Sequence, residues 1–100
     1  MIVLLGSVVV QPDRVEEALA LSQAHVLRSR SEPGCIAHAV YRDTENPQRL
    51  VFVERWADQA ALQTHFTLAE SRQFAQALTA MASGAPDMQI YSATLVSTGP

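Results

Sequence analysis

The 100-residue sequence predicts an α+β fold: a ferredoxin-like βαββαβ sandwich with an antiparallel sheet. Three observations predict it. Four short apolar, strand-like segments alternate with stretches of helical period. The second and third strands are separated only by a polar loop, as in an antiparallel hairpin. The first and third strands are apolar on both faces, so one layer of helices leaves half of the sheet bare. A second sheet of the same kind is the economical cover, and the sequence therefore predicts a homodimer with sheets face to face.

Ile2 to Val10 reads as the first strand, with Ile2, Leu4, Val8 and Val10 on one face and Val3, Leu5 and Val9 on the other. Pro12 stops it and Asp13 opens a helix, with Asp13 and Glu16 at capping-box spacing. Val15, Ala18, Leu19, Ser22 and Val26 form its buried stripe, and Arg28 and Arg30 suit the C-terminal end of its dipole. Glu32-Pro33-Gly34 is a turn, Cys35 to Arg42 the second strand, and Asp43 to Pro47 a loop of turn formers. Leu50 to Trp56 is the third strand. Asp58 caps a helix over Gln59 to Phe66, and a further helical stretch runs from Ala69 to Ala82 with Phe74, Leu78 and Met81 on its apolar side. Gly84 and Pro86 end it, Met88 to Val96 is the last strand, and Ser97 to Pro100 is a tail expected to fray. Residues 1–100 thus form one domain.

Composition excludes several functions. The net charge is −3, with 7 basic residues and no basic run, so no nucleic-acid partner is expected. Only 17% of residues are charged and 48% are hydrophobic, which again favours burial against another subunit. The single cysteine, Cys35, cannot form an internal disulfide and fits a reducing compartment. The apolar start, Met1 to Leu5, lacks a basic leader and is broken at Gly6-Ser7, so it is not read as a signal peptide. No stretch is long enough to span a bilayer, and the expected location is the cytoplasm. No phosphate-cradling loop, dinucleotide fingerprint or nucleophile elbow occurs. His25, His38, His65 and Cys35 fall on different elements without His-x-x-x-His or Cys-x-x-Cys spacing, and on that ground no metal site is assigned.

The stretch Leu50 to Phe66 concentrates the candidate chemistry. Strand period puts Leu50, Phe52, Glu54 and Trp56 on one face, a carboxylate between two aromatics, and His65 follows one short helix later. His65 is the candidate general base, because a neutral imidazole can take a proton from a substrate hydroxyl near neutral pH. Glu54 is the candidate catalytic partner that orients it or holds a substrate hydroxyl. Trp56, Phe66 and Phe52 are candidate walls for a flat aromatic, and Tyr41 a candidate hydrogen-bond donor. The other readings are a structural histidine, a hydrogen-bonded buried glutamate, plain core packing of the aromatics, and core or surface placement of Tyr41.

Glu32-Pro33-Gly34-Cys35, Tyr41-Arg42-Asp43, Asn46-Pro47, Glu54-Arg55-Trp56, Ala61-Leu62 and His65 occur in an order and spacing that resembles the antibiotic biosynthesis monooxygenase domain family of the dimeric α+β barrel superfamily. The resemblance implies a small dimeric barrel with a cavity between sheet and helices in each subunit. It implies cofactor-independent oxidation, by O₂, of a phenolic or quinol-type small aromatic substrate. Haem-degrading members use an Asn on the first strand and a Trp and a His on the helices. Here the first strand has Gly6 and Ser7, the only Trp is Trp56, and the third helical stretch has no His, so haem chemistry is not expected. A non-oxidative isomerase or lyase, and a ligand-binding dimer without catalysis, are the alternatives.

Overall fold

A computed structural model describes residues 1–99. The elements are β1 (Ile2–Val9), α1 (Val15–Ser29), β2 (Cys35–Arg42), β3 (Arg49–Trp56), α2 (Gln59–Thr67), α3 (Ala69–Met81) and β4 (Asp87–Ser92). The sheet order is β2-β3-β1-β4, and every neighbouring pair is antiparallel. This is the expected ferredoxin-like sandwich, with the helices on one face.

Strand alternation decides which residues meet the helices. Leu4 and Val8 of β1, Leu50, Phe52, Glu54 and Trp56 of β3, and His38 of β2 are buried beneath them. Val8, Val10, Val15, Ala18, Leu50, Phe52, Leu78 and Met81 form the larger apolar core, and Leu4, Trp56 and Leu62 a second one. Each such side chain contributes about 1.5–3 kcal/mol on burial. Between the two cores lies a run of buried polar groups, which is where the site is found. The opposite face carries Val3, Leu5, Ser7 and Val9 of β1 with Val51, Val53 and Arg55 of β3, and no element among the described residues covers it. Leu5, Tyr41 and Tyr91 are exposed.

Three expectations are corrected. The Asp13–Glu16 capping box does not form: Pro12–Arg14 closes a 3₁₀ turn, the helix proper starts at Val15, and Arg14 Nε instead donates to Glu17 at 2.8 Å. A proline at the start favours this tight first turn, which takes Asp13 out of the capping position. Val10 leaves β1 to bridge Ala82 at the end of α3. β4 stops at Ser92 rather than Val96, because the last pairing, Ala93 N–H to Met1 O at 2.8 Å, falls where β1 begins. Of the expected tail, residues 97–99 have no regular structure, and Pro100 lies outside the described residues.

Two local features position the site. Asp58 caps α2 as expected, its side chain accepting from the Ala61 N–H at 2.8 Å. Gly34 has φ +85°, a conformation that suits glycine, and a Cβ there would lie 2.5 Å from the Ala61 Cβ. The turn after α1 therefore packs directly on α2 and brings Glu32 to His65.

Candidate active site

The chain's three histidines come together between sheet and helices. His25 is on α1, His38 on β2 and His65 on α2, and all three are buried. Their rings lie 5.3–5.6 Å apart, centre to centre. His25 stacks on Phe74 at 3.9 Å, and His65 leans on Trp56 at 4.7 Å. Packing of this kind fixes the orientation of each ring.

Two carboxylates serve the cluster. Glu32 Oε1 lies 2.9 Å and Oε2 3.1 Å from His65 Nδ1. A carboxylate only accepts, so Nδ1 carries a hydrogen, and in the neutral ring the lone pair is then on Nε2. Glu54 Oε1 accepts from the Trp56 indole N–H at 3.0 Å and lies 3.3 Å from His38 Nε2. Burial and the neighbouring His38, His65 and Arg28 push His25 down to about 3, so it stays neutral near neutral pH. The Arg28 guanidinium contacts His25 Nδ1.

A cavity of about 230 Å³ opens beside these groups. Its floor is β1, including Gly6, whose missing side chain leaves space above the strand. Phe52, Phe66, Phe74 and Leu78 make its apolar walls, while His25, Glu54, His65 and Ser71 give it a polar side. Pockets for drug-sized ligands run to about 300–1,000 Å³, so this one suits a molecule of one or two rings. Arg72 and Asp87 also border it.

Four of the expected site residues, His65, Glu54, Phe52 and Phe66, line this one cavity. Two do not. Trp56 is fully buried behind the wall, in the core with Leu4 and Leu62, where it holds Glu54 and backs His65. Tyr41 pairs with Val51, which puts it on the uncovered sheet face, 57% exposed. The partner of His65 is also different: Glu32 binds it, not Glu54. In the sequence Glu32 stands as a turn residue and as part of the family resemblance, with no catalytic role attached to it. His25 and His38 show no ligand spacing along the chain, so the sequence assigns them no role. Their positions carried a signal nonetheless. His25 continues the α1 stripe three residues after Ser22, and His38 shares the inward parity of Val40.

Comparison with known proteins agrees with this architecture. The family model for antibiotic biosynthesis monooxygenase matches residues 1–77. The chain is 37% identical to the uncharacterized protein sll1783 of Synechocystis over 90% of its own length, but spans only 61% of that relative. It is 32% identical to a Bacillus subtilis protein provisionally named monooxygenase YcnE, over 74% of this chain and 78% of that one. A crystal structure from Deinococcus radiodurans, of a provisionally assigned antibiotic biosynthesis monooxygenase, superposes with a TM-score of 0.93 at 21% identity, over 100% of this chain and 99% of the other. At that identity the likeness speaks for the fold.

Proposed function

The chain belongs to the antibiotic biosynthesis monooxygenase family, and within it we propose a cofactor-independent monooxygenase for a phenolic or quinol-type substrate of one or two rings. One observation carries this reading: a buried imidazole with its Nδ1 tied to a carboxylate at 2.9 Å, on the polar side of an otherwise apolar cavity. That arrangement suits removal of a proton from a hydroxyl held against a flat, greasy body.

The substrate hydroxyl gives its proton to His65 Nε2, and Glu32 stabilises the imidazolium through Nδ1–H. The anion passes one electron to O₂. Superoxide and the ring radical combine at a ring carbon that bears hydrogen, forming a C–O bond. His65 returns its proton to the outer oxygen. Cleavage of the O–O bond with loss of the ring hydrogen releases water and leaves a quinone carbonyl. One oxygen atom enters the product and the other leaves as water. The apolar walls exclude bulk water from the anion. Glu54, held by Trp56, is placed to accept a hydrogen bond from a second hydroxyl, which favours a dihydroxy substrate.

The active form in this reading is a homodimer joined through the uncovered sheet faces, supported by the apolar Val3, Leu5, Val9, Val51 and Val53 on that side. Oxygen uptake by untagged protein across small phenols and quinols tests the function. Consumption above the uncatalysed rate that depends on the phenolic hydroxyl is expected, and no uptake with any member, or equal turnover under argon, would refute it.

A further inference from the structure

We propose that His25, His38 and His65 together bind one divalent late first-row transition ion of the zinc class. One ring nitrogen from each lies within 4.8 Å of the others, the one such grouping among the described residues. A tetrahedral ion with bonds of about 2.0–2.1 Å needs its nitrogens about 3.3 Å apart, so shifts on the order of 1 Å in three packed rings close the site. The ligands come from a helix, a strand and a second helix, which is why the sequence shows no paired spacing.

Two further observations point to a ligand. His38 is 2% exposed, yet its Nδ1 has no polar partner and its Nε2 only the Glu54 carboxylate at 3.3 Å, out of line for a hydrogen bond. A buried imidazole left so costs stability, and a metal bond would satisfy it. Around it stands the outer shell such a site requires. Glu32 holds His65 Nδ1 and leaves Nε2 for the ion, and Glu54 lies 3.3 Å from His38 Nε2, near enough to serve as a fourth ligand or as a charge partner. His25, Glu54 and His65 border the cavity, which offers the ion a path from solvent and an open coordination position.

Arg28 opposes loading. Its guanidinium donates to His25 Nδ1, which puts the ring hydrogen on Nε2. Binding requires Arg28 to swing away, and its Nη1 is buried without a partner, so little holds it there. Glu70 borders the same groove between α1 and α3 and can receive it. A bound ion takes the His65 lone pair that the proposed oxygenase uses, so zinc would inhibit turnover; the site itself does not depend on that reading.

Because the chain has only three histidines, ring-selective NMR of untagged, metal-stripped protein reads the site directly. On titration with Zn²⁺, all three imidazole sets should move together and saturate at one equivalent. Co²⁺ should give a visible d–d band without a thiolate charge-transfer band, unchanged in Cys35→Ser. Glu32→Gln should weaken binding about 10–100-fold, His38→Gln by more, and Arg28→Gln should tighten it. Imidazole signals that stay put in excess Zn²⁺, a response from one histidine alone, or a cobalt–thiolate band would overturn the proposal. The wild-type titration decides it even if His38→Gln fails to fold, and its outcome stands whether or not the oxygenase reading does.

Discussion

The proposed chemistry turns on one nitrogen. His65 Nε2 is a useful base only while Glu32 keeps the hydrogen on Nδ1. His65→Gln keeps a polar side chain but removes the base, and turnover with an accepted phenol should fall about 10²–10⁴-fold. Glu32→Gln retains an acceptor but loses the charge facing the imidazolium. A charge-assisted hydrogen bond is worth about 1.5–3 kcal/mol, so kcat should drop about ten- to hundredfold. Wild-type kcat in Glu32→Gln, with the fold intact by circular dichroism, would remove Glu32 from the mechanism. Trp56→Phe tests the other carboxylate. It leaves Glu54 without its indole donor, and urea unfolding should report a loss of about 1–3 kcal/mol.

At the scale of elements, the turn after α1 sets the site geometry. Gly34→Ala puts a methyl 2.5 Å from the Ala61 Cβ in a backbone conformation alanine resists. A loss of about 1–3 kcal/mol is expected by urea titration, with partial recovery in the Gly34→Ala, Ala61→Gly double variant. No recovery would mean that backbone strain, and not the contact with α2, dominates. The same turn explains what the sequence made legible. Strand alternation and helical stripes reveal the four strands and three helices, because they are local, but not the 3₁₀ turn at Pro12–Arg14. The inward row Phe52, Glu54 and Trp56 and the later His65 are legible for the same reason. The Glu32–His65 pair is not: it joins residues 33 apart through a close approach that only the folded turn creates. The histidine trio is hidden likewise, since its members share no element. The face that Tyr41 takes is not legible either, because it is set by the pairing of Tyr41 with Val51, a register that forms only in the sheet.

For the molecule as a whole, the uncovered sheet face is the main consequence of the sequence. If two copies bury it, sedimentation should show a dimer at micromolar concentration, and Val53→Asp, which places a charge in the middle of that face, should shift it to monomer. A wild-type monomer would contradict that assembly. The proposed catalysis also belongs to the whole molecule, since sheet, helices and turn each supply part of the cavity and of its candidate base. Turnover of an accepted phenol or quinol under ¹⁸O₂, followed by mass spectrometry of the product, tests it most directly. The account predicts one ¹⁸O atom per product molecule and no product above background with His65→Gln. Product without ¹⁸O, or equal labelled product from His65→Gln, would contradict it.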